Sequence, residues 1–161
     1  MNENYNNSYT VSWDQIHNDT RLLAKSLAKL GNFEGIAAIA RGGLIPAAII
    51  ARELDIRFVE TICISSYDHD NQKTVNIIKQ LEDKGSKWII IDDLVDTGKT
   101  AQVAKNMLPN AHFACIYAKP LGKSLADSFI KEVSQNTWVF FPWDTALMHV
   151  PPIVGGPKDH N

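Results

Sequence analysis

Apolar residues recur at helical spacing from Ser12 to Leu30, with Ile16, Leu23, Leu27 and Leu30 sharing one face. Ser12 and Gln15 stand at capping-box spacing and Gly31 supplies a stop, so the first helix is predicted over 12–30. The period then changes. "GIAAIA", Gly35 to Ala40, is a short continuous apolar run between polar loops, the pattern of a buried strand. Arg41-Gly42-Gly43 reads as a turn, and Pro46 sits near the start of a helix that runs to about Leu54. "RFVETICIS" is strand-like in its β-branched and aromatic content. The polar stretch from Ser65 to Lys73 has no period and is predicted to be a loop, and "VNIIK" after it leans to strand. "KWIIIDD" is a buried strand, and "GKTAQVAKNML" is a helix that ends before Pro109. "AHFACIYAK" is a further strand, "PLGKS" a loop, and "TWVFFPW" a short strand or edge segment. The tail after Pro151 reads as loosely ordered.

Strand and helix alternate through the middle of the chain. That alternation predicts a parallel sheet covered by helices on both faces. Ligands of such sheets sit beyond the carboxyl ends of the strands. The turns after Ala40 and after Ile91 both fall at such ends, so they should face one crevice.

Composition narrows the partners. The chain has 161 residues, 45% hydrophobic and 21% charged, which is enough for one domain with a real core. Its formal net charge of -2 gives no overall field that would draw nucleic acid or an anionic membrane. Cys63 and Cys115 lie inside apolar runs and read as buried free thiols. The first ten residues are polar and lack the apolar stretch of a secretory signal. No apolar run approaches the ~20 residues of a spanning helix. These features together predict a cytoplasmic protein.

The stretch "IIIDDLVDTGKT", Ile89 to Thr100, carries the chemistry. Gly98-Lys99-Thr100 matches the second half of a nucleotide-binding P-loop. The glycine that motif requires five positions earlier is Asp93 here, so the motif fails. The backbone N–H groups of Thr97 to Thr100 can still form a phosphate nest at a helix start. Ionised carboxylates do not bind bare phosphate, but they accept hydrogen bonds from sugar hydroxyls and bind Mg²⁺. Asp92 and Asp93 leave a strand end with side chains on opposite sides. Asp96, at the start of the nest, could reach a group attached to the same sugar. A phosphorylated ribose satisfies all three features. A helix start needs only one side-chain cap, so capping does not account for three acids.

These residues resemble the phosphoribosyl-pyrophosphate signature of type I phosphoribosyltransferases, and "ARGGLIPA" resembles the pyrophosphate loop of the same family. "ICISSYDHDNQ", "AKP", "TWVFFPWD" and "VPPI" are similar to the bacterial branch that salvages guanine and xanthine. The similarity runs from about Trp13 to Ile153. It implies an α/β fold with a central, mostly parallel sheet flanked by helices. A small hood and a flexible lid loop would complete a single domain over 1–161. It implies transfer of a phosphoribosyl group from 5-phosphoribosyl diphosphate to guanine or xanthine, and less well hypoxanthine, with Mg²⁺ present.

Roles follow from the resemblance. Asp92 and Asp93 would contact the ribose hydroxyls, with Asp93 also a metal ligand. Leu94 and Val95 form the spacer, and Thr97, Gly98, Lys99 and Thr100 would hold the 5′-phosphate. Asp96 would sit by purine N7 as general base or proton carrier. Arg41 and Gly42 would bind pyrophosphate, in a loop that often holds a non-proline cis peptide. Lys73 belongs with them; relatives carry arginine there, and lysine lacks the planar two-donor fork. Lys119 would contact the purine O6, since an ammonium only donates and so opposes the 6-amino group of adenine. Trp138 would stack on the base, the backbone of Val139 would read its 2-position, and Asp144 would assist. His69 and His112 have no metal-ligand spacing and are read as non-catalytic. The polar segment "SSYDHDNQ" would be a lid that excludes water. The family forms tetramers, and some members contact the inner membrane peripherally; both are expectations here. Regulators of the same fold carry a DNA-binding domain or basic face. This chain shows neither, with 16 basic and 18 acidic residues.

Overall fold

The structure, a computed structural model, describes residues 6–69 and 72–144, without the side chains of 65–69 and 72–75. The tail after Pro151 lies outside the described residues.

The main sheet has six strands: β2 (Gly35–Ala40), β3 (Phe58–His69), β4 (Gln72–Lys79), β5 (Trp88–Val95), β6 (His112–Ala118) and β7 (Ser128–Glu132). Their spatial order is β4-β3-β2-β5-β6-β7. All pairs are parallel except β3 with β4. Helices α1 (Trp13–Leu27) and α2 (Leu44–Glu53) cover one face, and α3 (Lys99–Met107) covers the other.

The strand alternation explains this division. Ile36, Ala38, Ile89 and Ile91 pack with Leu23, Leu27 and Ile50 of the first two helices. Their neighbours Ala37, Ile39 and Ile90 pack with Ala101 and Ala104 of α3. Successive side chains of a strand point to opposite faces, so a strand covered on both sides must be apolar throughout. Continuous runs such as "GIAAIA" and "WIII" meet that need, and the predicted two-sided parallel sheet is present.

Helix α1 begins as predicted: the Ser12 hydroxyl accepts from the Gln15 backbone N–H at 3.1 Å. It ends at Leu27 with a further turn before Gly31, which takes φ 137°. α2 and α3 also match their predicted segments.

Three segments differ from expectation. Residues 65–69 and 72–73 are strand and not loop: β3 runs to His69, β4 starts at Gln72, and their antiparallel ladder pairs Asp68 with Lys73. A ladder is made by backbone groups, and only burial of one face imposes an apolar period, so a polar hairpin escapes a period test. β7, "SFIKE", is an edge strand with no apolar period, since its residues are exposed or half-buried. β1 (Asn7–Thr10) has none either. It pairs in parallel with β8 (Thr137–Phe140), placing Ser8 opposite Trp138. This two-stranded sheet matches the expected hood, and "TWVFFPW" contributes its second strand.

No helix among the described residues is long and apolar enough to cross a membrane.

Candidate active site

The connections on either side of the β2–β5 boundary diverge. β2 leads through α2 on one face, and β5 leads through α3 on the other. Such a divergence leaves a crevice beyond the strand ends, where ligands of doubly wound sheets bind. The turn 41–43 leaves β2 at this point, and the acidic stretch 92–100 leaves β5.

β5 extends to Val95, two residues beyond the predicted strand, so both adjacent acids are strand residues. Asp92 is buried at 7% exposure. Its Oδ1 accepts from the Asp93 N–H at 3.0 Å, and Asp93 Oδ1 accepts from the Leu94 N–H at 2.7 Å. Burial holds the Asp92 carboxyl well above its ordinary range, and the neighbouring Asp93 charge adds to this. Burial also raises Asp93, to about 6, and the Asp144 charge works in the same direction.

The sign for stability follows. Well below pH 4 both carboxyls are protonated in the folded and unfolded chain, and no cost arises. As pH rises, the unfolded chain ionises first. Stability is therefore lost up to and through the folded-state value of about 6 for Asp93, and further where Asp92 titrates. Asp92→Asn removes the Asp92 share of this penalty and keeps an acceptor for the Asp93 N–H. The unliganded variant should melt above the parent protein at pH 8, with the difference shrinking toward pH 4. Equal melting temperatures at pH 8 would contradict this account.

Gly42 packs directly on Asp93, and a Cβ there would lie 2.3 Å from the Asp93 carboxyl carbon. The peptide between Ala40 and Arg41 is cis, as the resemblance implied, and Arg41 is exposed at the crevice. Gly98, with φ 85°, turns the chain from β5 into α3, a conformation costly for any residue with a Cβ. Thr97 and Lys99 are exposed and Thr100 is half-buried around that turn.

Lys119 is 1% exposed, at the end of β6, and its Nζ donates to Asp96 Oδ2 at 3.0 Å. A buried ammonium needs a partner, and the carboxylate supplies it. Its backbone N–H donates to the Val95 carbonyl at 2.8 Å, which ties the two strand ends together. Gly122, in the loop after Lys119, packs on the same turn: a Cβ there would lie 2.7 Å from the Asp96 carbonyl and 2.9 Å from the Gly98 nitrogen. Asp96 Oδ1 accepts from Gln135 Nε2 at 2.7 Å. Gln135 is a site residue that sequence reasoning missed; it is polar, sits in a loop, and lies 39 positions from its partner.

Trp138 is 38% exposed on β8, while its neighbours Thr137 and Val139 are buried. Its ring is therefore turned outward. Asp144 closes the turn after β8, where its Oδ2 accepts from the Phe141 N–H at 3.0 Å. Lys73 lies on β4 opposite Asp68, and its side chain is outside the described part of the molecule. His112 bonds Ser128 Oγ at 2.8 Å at the start of β6, the opposite end of that strand from Lys119. The structure thus joins Asp92, Asp93 and Gly42 in one group, and Asp96, Lys119 and Gln135 in another.

Comparison with known proteins agrees with this geometry. A family profile described as the phosphoribosyl transferase domain matches residues 12–149. The chain belongs to the phosphoribosyltransferase family. The xanthine-guanine phosphoribosyltransferase of Desulfotalea psychrophila is 53% identical over 156 residues, covering 96% of this chain and 98% of that protein. That of Nitratidesulfovibrio vulgaris strain DP4 is 53% identical over 157 residues, covering 97% and 96% respectively. Among solved structures, the purine phosphoribosyltransferase of Pyrococcus horikoshii superposes with a TM-score of 0.73 at 28% identity, covering 84% of this chain and 93% of that one.

Proposed function

We propose that this chain, acting as one domain over 1–161, is a purine-salvage glycosyltransferase. It transfers the phosphoribosyl group of 5-phosphoribosyl diphosphate to N9 of guanine or xanthine, and less well hypoxanthine. The products are GMP or XMP, or IMP from hypoxanthine, and pyrophosphate. The observation that carries this reading is the joining of Asp96 to a buried Lys119 beside the Asp92–Asp93 pair, at the sheet's switch point. The two relatives at 53% identity, named for guanine and xanthine, support the choice of bases.

The residues divide the ligand between them. The turn from Thr97 to Thr100 holds the 5′-phosphate through backbone N–H groups and hydroxyls. Asp92 and Asp93 accept from the ribose hydroxyls. Arg41, Gly42 and Lys73 hold the pyrophosphate, and the absence of a side chain at Gly42 lets that loop lie on Asp93. Trp138 offers its outward ring to the base, and the backbone of Val139, aided by Asp144, reads the 2-position. Lys119 donates to the purine O6. As N9 bonds to C1′, the bond from C1′ to the pyrophosphate oxygen breaks, and the proton on the purine passes to Asp96. Closure of the hairpin of β3 and β4 would exclude water from the cationic sugar.

Asp93 suits Mg²⁺: it is a hard oxygen donor at the end of β5, packed against Gly42 of the turn that leaves β2. Among the described residues no cluster of three or more His, Cys, Asp or Glu side chains could enclose a metal. Mg²⁺ held by one or two carboxylates and substrate phosphates needs no such cluster. When bound, it would neutralise charge on the diphosphate.

The test is conversion of guanine, xanthine and hypoxanthine to their monophosphates with the sugar diphosphate and Mg²⁺. Failure with all three would sink the reading. Lys119→Gln places an acceptor where only donors stood, so relative use of adenine should rise; an unchanged base preference would refute the role in O6 recognition. The family resemblance also extends to a cytoplasmic homotetramer, and some members of the family contact the inner membrane peripherally. Light scattering and fractionation of cells decide these two points.

A further inference from the structure

Gln135 stands in the connection between β7 and β8, and its amide is engaged at both ends. Its Oε1 accepts from the Leu121 backbone N–H at 3.0 Å, and its Nε2 donates to Asp96 Oδ1 at 2.7 Å. The first bond fixes which end is oxygen, because a backbone N–H can only donate. The end facing Asp96 is therefore the NH₂ group. Asp96 receives this donor on Oδ1 and the Lys119 ammonium on Oδ2. Two donors on different oxygens set the plane of a carboxylate.

The backbone that presents Gln135 is itself tied. The Thr137 N–H donates to the Ser134 carbonyl at 3.1 Å, and the two hydroxyls lie 2.5 Å apart. This closed turn leads straight into β8, which carries Trp138. One amide thus links three separate pieces of the site: the acidic turn after β5, the loop that follows Lys119, and the approach to the outward tryptophan.

We infer that Gln135 is a positioning residue that holds the Asp96 carboxylate, with Lys119, in the orientation needed to take the purine proton. The inference rests on the role proposed above for Asp96. Its signature is a split in the kinetic constants. Binding of the sugar diphosphate depends on the phosphate turn and the Asp92–Asp93 pair, which Gln135 does not touch among the contacts described.

The experiment compares the full-length protein with Gln135→Met, which keeps the volume and removes both hydrogen bonds, each alone and combined with Asp96→Asn. Loss of a hydrogen bond to a charged group should lower kcat for guanine by about 10- to 100-fold, leaving KM for the sugar diphosphate within about 3-fold. In the Asp96→Asn background the same change should cost less than about 3-fold, because the group it orients is already altered. Equal costs in the two backgrounds, or a parental kcat, would overturn the inference. A crystal structure of Gln135→Met gives a readout that needs no turnover. The Asp96 carboxylate should leave its position 3.0 Å from Lys119 Nζ; an unmoved carboxylate would overturn the inference whatever the enzyme's substrate proves to be. An inactive parental enzyme would count against the purine reading alone.

Discussion

Asp96→Asn should lower kcat for guanine by about 10²- to 10⁴-fold, the usual worth of general acid-base catalysis. The substitution keeps the size of the side chain and removes its charge. The carboxylate now accepts from Lys119 on one oxygen and from Gln135 on the other. An asparagine has only one acceptor, so its NH₂ group must face one of those donors. The variant thus loses both the proton acceptor and the ordered plane. In the proposed assignment the sugar diphosphate is held by other groups, so its KM should move by less than about 3-fold, the pattern of an interaction made in the transition state. Steady-state rates with guanine at saturating sugar diphosphate measure this directly. A parental kcat would remove Asp96 from the chemistry.

The second large effect is expected at Gly43, through the fold. A Cβ at this position would lie 2.2 Å from the Ile91 carbonyl oxygen, 2.9 Å from that of Ile39 and 3.0 Å from the Ile39 nitrogen. All three obstacles are backbone atoms of β2 and β5, so no rotamer change relieves them. Gly43 also donates its N–H to the Ile39 carbonyl at 2.8 Å and offers its own carbonyl to Ala47 at 2.9 Å, in the first turn of α2. Gly43→Ala must push α2 and the preceding turn away from the strands. Overpacking of this kind costs about 1–3 kcal/mol or more. For a domain of this length that is a fall of about 2–12 °C in Tm by calorimetry. The displaced turn carries Arg41 and Gly42, the residues proposed to hold pyrophosphate, so the surviving folded protein should also show a raised KM for the sugar diphosphate. A variant that melts with the parent would show that the turn can yield.

Legibility in the sequence varied with physical cause. β5 and α3 could be read because an apolar run and a glycine mark the switch from a strand buried on two faces to a helix. The acidic signature lies at that junction, so Asp92, Asp93, Asp96 and the turn to Thr100 were found together. β1 and β7 left no such mark, being short and poorly buried; β1 is held by pairing with the distant β8, and β7 by the edge of β6. The β3–β4 hairpin was hidden by its polarity. Lys119 could be named only by resemblance, since nothing local marks a lysine as buried. Its pairing with Asp96, and the amide of Gln135 beyond it, arise only when β5, β6 and the β7–β8 connection are brought together. A tertiary hydrogen bond between loop and strand end has no period to betray it.

The pairing of β1 with β8 reaches beyond architecture into the order of events during synthesis. Residues 7–10 leave the ribosome well before their partners, residues 137–140. For most of translation, β1 has no β8 to pair with. Contacts of such sequence separation close late, and unpaired strands are prone to wrong pairings meanwhile. The polar sequence "NSYT" is a safeguard against this, because a strand with little apolar surface gains little from a stranger's edge. The surface that presents Trp138 is then completed only after β8 has emerged, so a nascent chain can hold its acidic turn before it has the outward tryptophan.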